Sequence, residues 1–274
     1  MKYFIDTEFL EGKQDKRFLG IKYGETKPTI DLISIGIVAE DDREYYAISK
    51  DFNLKEAWNR WQSKKVIVDD VNCIIEIEHW IRDNVLKHIW LELSDKHYYH
   101  TTNLFDKRHP IYNEKNFTYN SLKYLINRYG KTNVEIAKEV NTFCTRPYKD
   151  VNTGINYLSK TTPKFYAYYA DYDWVAFCWL FGNMIDLPNR FPMYCNDLKQ
   201  TLDEKTNSLT SFELSKLVYP TCSNNVFEGL DTGLLTDRIK CLQYSEHYPI
   251  QTNEHNALSD ARFNFELYKF LNTI

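Results

Sequence analysis

An α/β fold, with a mixed sheet flanked by helices, is predicted by three observations. Apolar strand-like runs crowd the first fifty residues, helically spaced apolar residues fill most of the remaining chain, and two short strand patterns interrupt those helices. Three successive strands joined by local turns make an antiparallel start. Helices alternating with two further strands complete a mixed sheet. The 274 residues suffice for one elaborated domain spanning 1–274, and no repeat, low-complexity tract or linker divides them.

Phe4-Ile5-Asp6-Thr7-Glu8-Phe9 forms the first strand. Side chains two apart share a face, so Asp6 and Glu8 stand side by side on an apolar anchor. Residues 11–29 are polar and basic, with Lys13, Lys16, Arg17, Lys22 and Lys27 around Gly20 and Gly24, and read as a long loop or hairpin. Residues 30–38 are a buried strand containing Gly36, and 43–49 a further strand after the Glu40-Asp41-Asp42 turn. Helical spacing marks 54–61 and 74–91, the latter through Ile74, Ile77, Ile81, Val85 and Ile89.

Residues 94–118 keep no steady period and read as a loop or small insert; their His97, His100 and His109 match no zinc-ligand frame. Helices are predicted over 121–129 and 134–143. A strand through Phe165, Ala167 and Tyr169 then runs into Asp171-Tyr172-Asp173 and an apolar helix over 174–181, closed by Gly182. A last short strand is expected over 192–195, helices from Asp197 and over 210–218, and a final helix over 257–271 with His255 just ahead of it.

A net charge of −4 and a pI near 6.0 exclude a protein that coats duplex nucleic acid by bulk charge, so any such contact is a local patch. Six cysteines without a Cys-x-x-Cys pair read as reduced core thiols. Asp6 and Glu8 stand where a signal peptide needs its apolar region, and the longest near-apolar run, 174–181, is too short for a bilayer. A cytoplasmic protein without membrane contact is expected.

The chemistry gathers at element ends. Two adjacent carboxylates repel unless cations lie between them, and hard oxygen donors favour Mg²⁺ or Mn²⁺. Asp6 and Glu8 are joined in chain order by an acid at 171–173, by His255, and by Asp260 five positions later. Asp171 and Asp173 both stand at a helix start, and only one of them can face the same centre.

This ordered set resembles the DEDD exonucleases of the RNase H-like fold, in their histidine-containing subgroup. Within it, the small bacterial and phage 3′–5′ exoribonucleases of the mycobacterial type have motifs similar to Asp6-Thr7-Glu8-Phe9, Asp31-Leu32-Ile33-Ser34-Ile35-Gly36, Arg43-Glu44-Tyr45-Tyr46, and His255-Asn256-Ala257-Leu258 leading to Asp260-Ala261-Arg262. The resemblance covers 1–12, about 29–91 and about 133–272, leaving 13–28 and 92–132 as insertions.

It implies an RNase H-like mixed sheet (first three strands antiparallel, later strands parallel) and a metal-dependent 3′–5′ exonuclease of single-stranded nucleic acid, RNA rather than DNA. A DNA exonuclease and a catalytically inert, exonuclease-like binding scaffold are the alternatives. Two Mg²⁺ are implied, with Mn²⁺ able to substitute. Asp6 would bridge them, Glu8 and Asp260 would hold the ion that orients water, and Asp173 would hold the other. Family registration favours Asp173 and leaves Asp171 as a helix N-cap. His255 would be the general base, since imidazoles ordinarily titrate near pH 6.5. A homodimer is also implied. Phe9 is either a stacking platform for the terminal base or a core residue. Ser34 and Asn256 can bond sugar or phosphate, or their own backbone neighbours. Asp197 either caps the following helix or supports the site from behind its ligands, outside the catalytic set, and the basic segment 13–28 is read as lining the route of a single strand.

Overall fold

The computed structural model describes residues 1–69, 72–99, 113–145, 148–149, 156–157, 162–218 and 233–274. β1 (Lys2–Gly12) leads into a hairpin of β2 (Asp15–Phe18) and β3 (Ile21–Glu25), and the chain returns as β4 (Thr29–Ala39) and β5 (Glu44–Ile48). Helix α1 (Leu54–Asn59) precedes a second hairpin, β6 (Gln62–Asp69) and β7 (Asn72–Glu78). A π-helical turn (Ile81–Leu86) then runs into α2 (Lys87–Tyr99). After α3 (Tyr119–Tyr129) and α4 (Asn133–Thr145) come the two-residue strands β8 (Tyr148–Lys149) and β9 (Asn156–Tyr157). The chain continues through β10 (Lys164–Ala167), α5 (Ala170–Trp179) and β11 (Asn196–Asp197), then α6 (Leu198–Ser208), α7 (Ser211–Val218), α8 (Leu235–Gln243) and α9 (Ala257–Leu271).

The central sheet has the order β11-β10-β1-β4-β5. β1, β4 and β5 pair antiparallel, while β10 and β11 add in parallel on the other side of β1, as predicted for an RNase H-like mixed sheet. β1 is central because both its faces are apolar. Tyr3 and Ile5 pack with Ile136, Val140, Trp174 and Phe177 of α4 and α5, and Phe4 packs with Leu198, Leu202 and Phe265 on the opposite side. Each such buried ring or branched chain contributes about 1.5–3 kcal/mol. A third cluster joins Leu10, Ile33 and Ile48 to α1, α2 and α3. Among the described residues, no helix is long and apolar enough to cross a membrane.

Two local features aim the sheet at its functional end. Between Glu8 and Phe9 the register shifts from Ser34 to Leu32, so Ile33 is an extra residue, a bulge of the kind that turns side chains next to active sites. Gly36, opposite Asp6, lies beneath the start of α9: a Cβ there would stand 2.2 Å from the Ala257 carbonyl oxygen. Only glycine lets that helix N-terminus rest on the sheet beside Asp6.

Several boundaries differ from the sequence expectation. The stretch 74–91 is not one helix, because Asn72–Glu78 is a strand and helical structure starts beyond it. The β-branched pairs Val66-Ile67 and Ile74-Ile75 favour an extended hairpin over the helix that the spacing of Ile74 and Ile77 suggests. The polar stretch 11–29 resolves into the β2–β3 hairpin, and α2 continues to Tyr99 into the expected loop, where His97 meets the Tyr129 hydroxyl at 2.8 Å. His100 and His109 lie outside the described residues. The last strand is Asn196–Asp197 rather than 192–195, set by its pairing to Tyr166 and Ala167.

Candidate active site

Asp6 and Glu8 retain the period-two arrangement, on the face of β1 that Phe4 turns toward Phe265 of α9, ring centroids 4.8 Å apart. Asp173 reaches them from α5. Tyr169, at φ 55°, ψ 53°, turns β10 sharply into that helix, whose first turn lies under β1. There the Thr7 backbone N–H and hydroxyl both donate to Asp173 Oδ1, at 2.8 and 2.6 Å. Asp173 is buried and Asp171 exposed, so the structure brings Asp173 to the cluster and leaves Asp171 in solvent.

Asp171 is not the N-cap either; Tyr169 holds that position without a side-chain hydrogen bond. The left-handed turn ends one residue before the helix, and a carboxylate from a neighbouring strand supplies what the cap lacks. Asp197 accepts the Ala170 N–H at 3.2 Å and the Lys199 and Gln200 N–H groups at 2.7 and 3.3 Å, holding the starts of α5 and α6 together.

Asp260 arrives in the first turn of α9. The Gln251 amide donates to its Oδ1 at 2.8 Å and the His255 backbone N–H to its Oδ2 at 2.9 Å. One turn further on, the buried Asn264 amide donates to the Ile5 carbonyl at 3.0 Å and fixes the helix against β1. His255 has φ 65°, a conformation uncommon for a residue with a side chain. Its ring meets the edge of Trp80, centroids 4.7 Å apart. One ligating atom each from Glu8, His255 and Asp260 lies within 4.8 Å of the other two.

Burial and mutual repulsion set the electrostatics. Burial is the larger cause throughout. With Asp260 and Asp173 it pushes Glu8 up to about 8. With Asp173, Glu8 and Asp260 it holds Asp6 well above the usual carboxylate range. Burial takes Asp173 up to about 7 against the opposing Thr7 hydrogen bonds, and raises Asp260 against those of Gln251 and His255. Among the described residues none of the four carboxylates is paired with a lysine or arginine. Hard oxygen donors brought together without a countercharge fit a divalent cation such as Mg²⁺ or Mn²⁺.

Stability should therefore depend on pH. Glu8 and Asp173 bind protons near pH 8 and 7 in the fold, against roughly 4.3 and 3.9 in an unfolded chain. Their folded values are raised, so their stabilising effect is complete below about pH 4 and is lost as the pH rises toward 8. Melts in EDTA should show the melting temperature falling between about pH 5 and 8.5, with Mg²⁺ or Mn²⁺ restoring it at the alkaline end and changing little at the acid end. Flat curves with and without metal would contradict this.

The expected substrate residues divide. Phe9 stacks on Tyr172 of α5, centroids 5.7 Å apart, and Tyr172 is half exposed, so this pair forms the rim. Ser34 lies opposite Glu8 but is buried in the sheet. Asn256 is the N-cap of α9, accepting the Ser259 N–H at 3.1 Å and donating to Glu92 Oε2 at 3.4 Å. Sequence reasoning missed Thr7, Gln251, Trp80 and Tyr172. Thr7 was within its reach, because the residue between Asp6 and Glu8 must face the other side of the sheet, where α5 packs. Gln251 and Trp80 carry no local signal.

Comparison with known proteins adds one stretch of similarity. The chain is 47% identical over 57 residues to a 3′–5′ exoribonuclease of Mycobacterium tuberculosis strain CDC 1551, and equally to one of strain H37Rv. The match takes in 21% of this chain and 26% of each relative, so it spans about a quarter of the length of the curated proteins it resembles. No protein-family model matches the chain. Over that stretch, the chain is similar to a 3′–5′ exoribonuclease.

Proposed function

We propose that this chain is a metal-dependent 3′–5′ exonuclease that hydrolyses phosphodiester bonds from the 3′ end of single-stranded nucleic acid, RNA in preference to DNA. The observation that carries the reading is the gathering of Asp6, Glu8, Asp173 and Asp260 from β1, α5 and α9 with no lysine or arginine paired to them among the described residues. Glu8, Asp173 and Asp260 are buried and Asp6 partly so, and His255 stands beside Glu8 and Asp260. Similarity to the mycobacterial exoribonucleases supports the reaction class and the RNA preference.

Asp6, Glu8, Asp173 and Asp260 would hold two Mg²⁺, or Mn²⁺. Such a pair activates water and neutralises charge on the attacking and leaving oxygens. The chain's own groups do the rest. Thr7 fixes Asp173, and the Gln251 amide and His255 N–H fix Asp260, so the carboxylates keep their geometry despite their repulsion. An imidazole nitrogen of His255 accepts the proton of the attacking water and carries it toward solvent. The exposed Tyr172 ring, stacked on Phe9, offers a face to the terminal base.

Matched 5′-labelled single-stranded RNA and DNA, incubated with Mg²⁺ or Mn²⁺, test the reading. A ladder that shortens from the 3′ end, faster on RNA, is expected. Ladders of equal rate would reject the RNA preference. Intact strands in the presence of folded, metal-binding protein would reject the exonuclease.

A further inference from the structure

The β2–β3 hairpin leaves the functional end of the sheet directly from β1 and contributes nothing to the acidic cluster. Its base is fixed. Gln14, buried, exchanges hydrogen bonds with Thr26 at 2.9 and 3.0 Å, and its amide donates to Thr29 Oγ1 at 3.1 Å and to the Asp31 carboxylate. The Arg60 guanidinium donates to the Glu11 and Lys13 carbonyls. Its far end is given to solvent: Phe18, Leu19, Ile21 and Tyr23 are 70, 87, 72 and 70% exposed. The turn is Leu19-Gly20, with φ 47° and 83°, where asparagine and glycine are the favoured pair. Leu19 thus carries the strain of a left-handed residue while its side chain stands in water.

Cations are interleaved with these rings. Lys13, Lys16, Arg17, Lys22 and Lys27 stand against only Asp15 and Glu25, in a chain of net charge −4. Arg17 and Lys22 pair with Asp15 at 2.6 and 2.7 Å, and Lys13 with Glu25 at 3.6 Å. Pairs between solvent-exposed groups are weak enough for phosphates to compete. A cleft of about 640 Å³ separates the hairpin from α1; Arg17, Lys55, Asn53 and Asn59 line it together with Asp15 and Glu56. Arg17 and Lys55 in the cleft are balanced by Asp15 and Glu56, so the excess of cations lies on the hairpin segment itself, where exposed Lys16 and Lys27 add to them beside the exposed rings. Cations for the backbone and rings for the bases are the two parts of a single-strand site.

The geometry points to the β2–β3 hairpin as a docking site for single-stranded nucleic acid, gripping the strand several nucleotides away from the end held at Asp6 and Glu8. The identity of that end rests on the proposed exonuclease reading; the grip does not. Phe18 is ten residues along the chain from Glu8, at most roughly 33 Å, so a strand of about 20 nucleotides, at roughly 3.4 Å each, is long enough to engage both.

The test is fluorescence anisotropy in EDTA, where nothing is hydrolysed, with labelled RNA of about 20 and about 4 nucleotides. Phe18→Ala/Tyr23→Ala should weaken binding of the long strand by about 5- to 150-fold for each ring lost, with little change for the short one. Lys16→Ala/Arg17→Ala should reduce the slope of log affinity against log salt by about 1.4, or 0.7 for each phosphate contact. Unchanged long-strand affinity in both variants overturns the proposal, as does an equal loss for long and short strands. A wild-type dimer that the ring variant dissolves, at unchanged strand affinity per protomer, also overturns it and assigns the tip to a second copy. Wild type that binds long strands through the hairpin but hydrolyses none keeps this inference and rejects the exonuclease.

Discussion

Asparagine in place of Asp6 is expected to abolish phosphodiester turnover while making the metal-free protein harder to melt. The two effects have one cause. Asp6 is partly buried, and burial together with Asp173, Glu8 and Asp260 holds its carboxyl well above the usual range. An amide of the same shape removes the negative charge that two shared cations would bridge, and with it several kcal/mol of transition-state stabilisation, or about 10³-fold or more in rate. It also removes the repulsion that burdens the fold in the absence of cations. Each kcal/mol so released raises the melting temperature by about 2–4 °C in a domain of this size. Turnover on labelled RNA and melts in EDTA, both near pH 8, check the two halves. Substantial remaining turnover would take Asp6 out of the reaction, and an unchanged melt would mean that the carboxylates do not repel one another.

Removing the His255 imidazole is expected to lower turnover by about 10²–10⁴-fold, the usual contribution of a general base, and to leave metal-induced stabilisation largely intact. The backbone explains the separation. His255 holds Asp260 Oδ2 through its N–H at 2.9 Å, and truncating the ring keeps that donor. At φ 65° alanine carries the strain of a left-handed residue and glycine does not, so His255→Gly controls for backbone damage. Both variants should lose turnover alike, and added imidazole should recover part of it in the space beside Trp80. Equal rates for wild type and both variants would remove His255 from the mechanism. Loss in the alanine variant alone would assign the effect to the backbone.

Much of the site was legible in the chain because strand geometry is local. Alternation alone set Asp6 beside Glu8, and the apolar stripe of 257–271 placed Asp260 in a first helical turn just after His255. The choice between Asp171 and Asp173 was not legible in local geometry and rested on family registration alone. Both stand at a helix start, and the decision belongs to Thr7, more than 160 residues away, whose N–H and hydroxyl capture only the one that faces β1. The hairpin over 62–78 was obscured for a related reason: isoleucines spaced three apart satisfy a helix, while their β-branching suits a strand that finds its partner.

Residue order alone settled the pairing of Asp6 with Glu8, through side-chain alternation along one strand, and the α/β class and antiparallel opening of the sheet, through the succession of strand and helix patterns and the short connections between them. Tertiary structure alone decided that Asp173 and Asp260 meet that pair, that Asp197 holds two helices, that Trp80 backs His255 and that Gly36 admits the end of α9. Those contacts join residues whose separation in the chain carries no periodicity. They are set by how closely helices pack on the sheet, which no local pattern encodes.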